Sequence, residues 1–75
     1  MKKKIYEKIN EIEGKTYTLE EMSNYMYQYK QCPIDILEYF YGQEEYEEVK
    51  KIVESYCNRM DCRYACVEDF LKAEI

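Results

Sequence analysis

Apolar residues recur at helical spacing in five stretches of the 75-residue chain, and short breaks separate these stretches. In the first stretch, residues 2–13, Ile5, Ile9 and Ile12 fall on one face, and Gly14 follows as a residue suited to end a helix. For residues 15–19, a strand is the alternative prediction. The pattern therefore predicts an all-α fold: a compact bundle of four to five short helices that forms a single domain over residues 1–75.

The start of the second helix carries the strongest local signal. Thr18 and Glu21 have the spacing of a capping box, in which the Thr18 hydroxyl accepts from the third helical N–H and the Glu21 carboxylate accepts from the N–H of Thr18. Tyr17 and Met22 occupy the two positions of a hydrophobic staple. A second helix is thus predicted from residue 19, and its apolar stripe consists of Leu19, Met22, Met26 and Tyr29.

Three further helices are predicted over residues 33–41, 43–57 and 62–73. Pro33 suits the first turn of the third helix and Gly42 suits its end, while residues 58–61 are predicted to form the turn before the fifth helix. The predicted core takes inward positions from all five helices. Its members are Ile5, Ile9, Leu19, Met22, Met26, Leu37, Phe40, Val49, Val53, Val67, Phe70 and Leu71.

Catalysis has little support in the sequence. The chain has no histidine, which removes the commonest general base, and its two glycines are too far apart to form a glycine-rich phosphate loop. No apolar run approaches the roughly 18 residues of a membrane span, and no apolar stretch follows the basic start as it would in a signal peptide. We therefore expect a cytoplasmic protein that is not an enzyme and does not bind membranes.

The net charge of −5 bears on the kind of partner. An acidic chain is repelled by phosphate backbones, so direct nucleic-acid binding is not expected, whereas a protein partner with a basic surface is. The alternative to a protein partner is DNA binding by a helix-turn-helix unit made of helices two and three. Its recognition helix, residues 33–41, would carry Asp35 and Glu38 but neither Lys nor Arg, and this charge disfavours DNA binding.

Four cysteines are a high number for a chain of this length. Cys57, Cys62 and Cys66 have the spacing C-x4-C-x3-C, and Cys32 lies upstream, so a four-thiolate metal site is conceivable. The C-x2-C pairs that are typical of structural zinc sites do not occur. Disulfides are a further alternative in an oxidising setting. The favoured interpretation is reduced cysteines that are buried as small apolar residues, and we expect no cofactor.

The acidic segment from Asp35 to Glu54 is the candidate partner-binding surface. It holds seven acidic residues against Lys50 and Lys51, a local balance of −5 that equals the charge of the whole chain. Carboxylates on a helix can take the place of nucleic-acid phosphates in a partner's groove that is lined by Lys and Arg. Tyrosines supply rigid contact area. An ordinary solvated helix face is the competing interpretation. The candidate residues are Asp35, Glu38, Tyr39, Tyr41, Glu44, Glu45, Tyr46, Glu47, Glu48 and Glu54.

In its small size, acidity, ten tyrosines and lack of a recognisable active site, the chain resembles phage-encoded inhibitors of bacterial defence, such as anti-CRISPR proteins. The resemblance lies in composition and size. It implies a non-catalytic inhibitor that binds a nucleic-acid-binding defence effector by mimicking nucleic acid. Two alternatives remain: a structural or regulatory adaptor, which could be a homodimer with a tyrosine-rich interface, and a small module that binds a metal through cysteines.

Overall fold

The structure is a computed structural model that describes residues 2–56 and 67–75. The described residues form five α-helices and one 3-10 turn, so the predicted all-α bundle of short helices is confirmed. In chain order these elements are α1 (Ile5–Glu13), α2 (Leu19–Gln28), α3 (Pro33–Leu37), the 3-10 turn Glu38–Phe40, α4 (Tyr46–Tyr56) and α5 (Val67–Lys72). Helices α1 and α4 each begin three residues later than predicted. The predicted turn at 58–61 and the first part of the fifth helix lie outside the described residues.

The connection between α1 and α2 is fixed by local hydrogen bonds. Gly14 ends α1 with φ 67°, the left-handed conformation that glycine adopts without strain. The predicted capping box is confirmed: Glu21 N donates to Thr18 Oγ1 at 3.1 Å, and Thr18 N donates to Glu21 Oε1 at 2.9 Å. The alternative strand at 15–19 is wrong, because the backbone of Tyr17 bonds to the side chain of Asn10 rather than to another strand.

Helix α3 is shorter than the predicted helix over residues 33–41. Asp35 accepts a hydrogen bond from the N–H of Cys32 at 3.0 Å, which caps the start of the helix, and Pro33 lies in its first turn. After Leu37 the backbone tightens into the 3-10 turn. Tyr41 then leaves helical geometry with ψ 127°, and Gly42 turns the chain with φ 81°.

The core contains all the predicted residues except Leu19 and Leu37, which are half-buried at its edge. Ile36 takes the inward position that was predicted for Leu37. Pro33, Ile36 and Phe40 follow one another at helical spacing and are all buried, so their stripe sets the inward face. Tyr29 was also wrongly placed in the apolar stripe of α2, since it is 59% exposed.

Packing between distant parts of the chain closes the bundle. Helix α2 packs against α5, α3 against α4, and α1 against α5. An antiparallel bridge joins Lys4 to Glu74, next to a hydrogen bond from Ile5 N to Ala73 O of 2.9 Å. Among the described residues, no helix is both long enough and apolar enough to cross a membrane.

Candidate partner-binding site

The ten candidate residues do not form one continuous acidic face. On α4, Glu47 and Glu54 are exposed, but Lys50 and Lys51 lie on the same outward side, because Val49 and Val53 turn the opposite side into the core. Helical spacing places Lys51 one turn after Glu47 and Glu54 one turn after Lys50. The outer face of α4 therefore mixes both signs of charge. Glu44 and Glu48 are also exposed.

Glu45 faces α1 rather than open solvent. Its Oε2 lies 3.5 Å from Lys8 Nζ, and the same ammonium group lies 3.6 Å from Glu11 Oε1. Lys8 thus joins the segment before α4 to α1 through two carboxylates. A partner would compete with Lys8 for Glu45, which removes Glu45 from the strongest candidates.

Tyr41 and Tyr46 form a ring pair across the Gly42 turn. Their centroids are 5.5 Å apart with an interplanar angle of 49°. Tyr41 is 64% exposed, whereas Tyr46 is half-buried against the core. The pair is a rigid aromatic patch, and the core holds it through Tyr46.

Asp35, Glu38 and Tyr39 do come together, and they line an open groove of about 630 Å³. We call this surface the groove; it joins the end of α1 to the start of α3. Asp35 keeps its capping role there, so only one side of its carboxylate is committed to the backbone. The lining residues are Glu13, Tyr29, Lys30, Gln31, Asp35, Glu38 and Tyr39.

Tyr39 lines the groove together with its carboxylates. Burial raises the pKa of its phenol above 10.0, a hydrogen bond from Gln31 opposes this, and the negative charges of Glu13 and Glu38 add to the rise. Gln31 Oε1 is a buried oxygen that has no hydrogen-bond partner within the described residues. The groove thus offers carboxylates and a phenol as acceptors, while the Gln31 oxygen lies buried beneath its surface.

A smaller cavity of about 170 Å³ adjoins the groove and shares Glu13 and Tyr39 with it. We call it the cavity. Asn10 shapes it by binding the backbone of Tyr17 twice: Asn10 Nδ2 donates to Tyr17 O at 2.7 Å, and Tyr17 N donates to Asn10 Oδ1 at 3.1 Å. The lining residues are Ile9, Asn10, Glu13, Lys15, Tyr17, Met22, Tyr25, Met26 and Tyr39.

Three tyrosine rings run from the cavity to the groove. Tyr17 and Tyr25 are nearly parallel, with an interplanar angle of 24° and centroids 6.1 Å apart, and Tyr25 and Tyr29 are 4.7 Å apart. Lys15 Nζ lies 6.0 Å from the centroid of Tyr17, at the outer limit of a cation–π contact. The rings therefore form a contiguous aromatic surface beside the carboxylates.

Sequence reasoning missed Glu13, Tyr17, Tyr25, Tyr29 and Gln31 as members of this site. Two signals were present in the sequence. Glu13 stands in the last turn of α1, where the helix dipole disfavours an acid, so its position calls for another explanation. Tyr25 in α2 and Tyr29 directly after it stand four residues apart, the spacing at which helical side chains meet. For Gln31 we find no sequence signal.

The structure describes one of the four cysteines. Cys32 is a free, half-buried thiol at the N-cap of α3. Cys57, Cys62 and Cys66 lie outside the described residues. In residues 2–56 and 67–75, no group of three Cys, Asp or Glu side chains could hold a metal ion.

Comparisons with protein-family models, with curated proteins and with solved structures find no match for this chain.

Proposed function

We propose that the protein is a non-catalytic binder that occupies a basic site on a partner protein. The observation that carries this proposal is that Glu13, Asp35 and Glu38 line one groove together with Tyr39. Carboxylates attract the Lys and Arg side chains of a partner over a distance, and aromatic rings supply the desolvated contact that slows dissociation.

The sign of the charge sets the class of partner. The groove has three acidic residues against Lys30, and the whole chain has a net charge of −5. Such a surface repels phosphates, so the groove suits a basic protein rather than a nucleic acid. Because α4 carries charges of both signs, we assign it no direct contact; it contributes only to the long-range electrostatic attraction of the partner.

The finer part of the proposal is that the basic site belongs to a nucleic-acid-binding effector of bacterial defence. Basic clefts on proteins commonly serve to bind phosphate backbones, so a protein that fills such a cleft excludes the nucleic acid. The resemblance in size and composition to anti-CRISPR inhibitors supports this choice of partner. The protein would then inhibit by competition, in the cytoplasm of the infected cell.

The test is a capture experiment followed by competition. The immobilised protein is exposed to host lysate beside the double variant Glu13→Gln/Glu38→Gln, which removes two charges from the groove and leaves the Asp35 cap intact. A partner that the wild type retains and the variant loses is then purified. Wild-type protein should displace nucleic acid from that partner. If the partner binds its nucleic acid equally well under saturating protein, competition is ruled out.

A second candidate function rests on two exposed apolar side chains outside the groove. Ile34 is 52% exposed and Tyr41 is 64% exposed, and neither lines the groove. These two apolar side chains suit an adaptor that self-associates. Sedimentation velocity over a range of concentrations should show a dimer that Ile34→Asp disrupts; a monomer at all concentrations would eliminate this candidate.

A further inference from the structure

We propose that the cavity beside the groove takes a single arginine side chain of the partner, held against the tyrosine rings and paired with Glu13. This inference rests on the proposed function and specifies the partner chemistry. The cavity would then be the anchor of the interface, and the groove would be the surrounding region that attracts the rest of a basic site.

The size of the cavity limits its occupant. Its volume of about 170 Å³ lies below the roughly 300–1,000 Å³ that is typical of pockets for small organic ligands. This is room for one long side chain but not for a nucleotide or a folded segment.

The lining of the cavity suits a cation. Tyr17, Tyr25 and Tyr39 contribute aromatic rings, and Glu13 contributes a carboxylate. The ring faces of tyrosine are electron-rich and attract cations, and this attraction grows when water is excluded. Below them, Met22 and Met26 are buried and supply an apolar floor for the methylene groups of the same side chain.

Arginine matches this lining better than lysine does. Its planar guanidinium stacks on aromatic rings, and it carries five N–H donors for several acceptors at once. The cavity offers the Glu13 carboxylate and the Tyr39 hydroxyl as such acceptors. Burial is the main cause of the raised pKa of Tyr39, and the nearby negative charges of Glu13 and Glu38, which also favour a cation at this hydroxyl, add to it.

The site is built before a partner arrives. Asn10 fixes the backbone of Tyr17 through two hydrogen bonds, and the Thr18 capping box follows directly. Tyr25 contacts the rings of both Tyr17 and Tyr29. Rings that are already ordered lose little conformational entropy on binding, which favours affinity.

Lys15 is the internal competitor of the proposed arginine. Its ammonium lies over the Tyr17 ring at 6.0 Å and lines the same cavity. Because two cations repel each other, an entering guanidinium must displace Lys15 toward solvent. Lys15→Gln removes this competition and should therefore tighten arginine binding, which is the reverse of what loss of an ordinary contact would do.

The experiment is an NMR titration of protein labelled at its tyrosine rings. The probe is N-acetyl-arginine methylamide, and the control ligand is the citrulline analogue, which keeps the shape but lacks the charge. The arginine probe should give saturable shifts at Tyr25 and Tyr39. Tyr25→Leu should weaken binding about 2- to 30-fold, the range expected for one cation–π contact, while Tyr25→Phe should retain it.

Tyr41→Leu is the matched control, because Tyr41 is an exposed tyrosine outside the cavity. Its binding of the probe should equal that of the wild type, and a thermal melt of each variant shows that it is folded. Equal binding of citrulline and arginine would overturn the proposal, as would shifts that do not saturate. If the captured partner needs Glu13 and Glu38 but is indifferent to Tyr25→Leu, the arginine anchor fails while the proposed function stands.

Discussion

Lys3 and Ile75 exchange two backbone hydrogen bonds: Lys3 N donates to Ile75 O at 3.1 Å, and Ile75 N donates to Lys3 O at 2.8 Å. Together with the bond from Ile5 N to Ala73 O, they tie the segment that leads into α1 to the segment that follows α5. Ile5 is fully buried directly beside this pairing. The start of the core is therefore held by residues from the far end of the 75-residue sequence.

Removal of Glu74 and Ile75 should lower the free energy of unfolding. The deletion removes two backbone hydrogen bonds, each worth about 0.5–1.5 kcal/mol net, and the partly buried Ile75 side chain, so a loss of at least about 1–3 kcal/mol is expected. Urea denaturation monitored by circular dichroism measures it. Glu74→Ala is the control, because the side chain is exposed and both bonds remain. An unchanged midpoint in the deletion variant would show that the pairing does not stabilise the fold.

This pairing was beyond the reach of sequence reasoning, and the reason is physical. Helical periodicity reports which face of a segment is buried, since the apolar residues repeat within a few positions. A single bridge between Lys4 and Glu74 has no repeat and no alternation. Its existence depends on how α1 and α5 pack in three dimensions.

Thr18→Ala should destabilise the protein by about 1 kcal/mol, the usual effect of losing an N-cap hydroxyl. The hydroxyl accepts from Glu21 N at 3.1 Å, and its loss leaves that N–H without its partner. Thermal denaturation measures the effect. The control is Thr16→Ala, because Thr16 is exposed two residues before the cap. Equal melting temperatures for the two variants would contradict a stabilising role of the cap.

Ile36 and Ile34 offer a matched pair on α3. Ile36 is fully buried and Ile34 is 52% exposed. Ile36→Ala should lower the free energy of unfolding by about 2–5 kcal/mol, because it removes buried methyl and methylene groups and leaves a cavity. Ile34→Ala should stay within about 0.5 kcal/mol of the wild type. Chemical denaturation measures the free energy of unfolding of both variants. A large loss of stability in Ile34→Ala would indicate that Ile34 is covered, for example in a dimer interface.

The same helix shows where the predicted core was wrong. Helical spacing allowed two neighbouring apolar stripes on α3, and the sequence did not say which one faces inward. The short length of α3 and its passage into a 3-10 turn fix the choice of Pro33, Ile36 and Phe40. Longer helices such as α4 have one stripe only, so Val49 and Val53 were predicted correctly.

The candidate site was predictable in part for a similar reason. Asp35, Glu38 and Tyr39 are close in sequence, and the structure keeps them together. Glu13 and Tyr29 join them only through the fold, in which α1 contacts the 3-10 turn that follows α3. The acidic residues that cluster in the sequence of α4 share its outer face with lysines. The number of acidic residues along the chain therefore overestimated the negative charge of that face.

Tyr39 should give the stability of the protein a dependence on alkaline pH. Its pKa is raised in the folded state, first by burial, so its contribution to stability is complete below about pH 10 and is lost as pH rises through the folded value. Tyr39→Phe lacks this ionisation and should lose less stability than the wild type from about pH 10 upward. Urea denaturation at several pH values measures the slope, with the exposed Tyr41→Phe as control. Parallel slopes for wild type and Tyr39→Phe would contradict the expectation.

The last prediction separates the groove from α4 as the surface that binds the partner. Glu13→Gln/Glu38→Gln and Glu47→Gln/Glu54→Gln each remove two negative charges from exposed positions, so they change the net charge equally. Charges at the rim of an interface act mainly on association, whereas charges in desolvated contact also act on dissociation. Both variants should therefore associate more slowly and with a weaker dependence on salt.

Only the groove variant should also dissociate faster, because its carboxylates are the ones that lie beside Tyr39 and the ring stack. Surface plasmon resonance against the captured partner, at low and high salt, measures both rates for each variant. Faster dissociation in the α4 variant, with the groove variant changed in association alone, would move the interface to α4. Because the two variants have the same net charge, such a result could not be attributed to a general change in the electrostatic field.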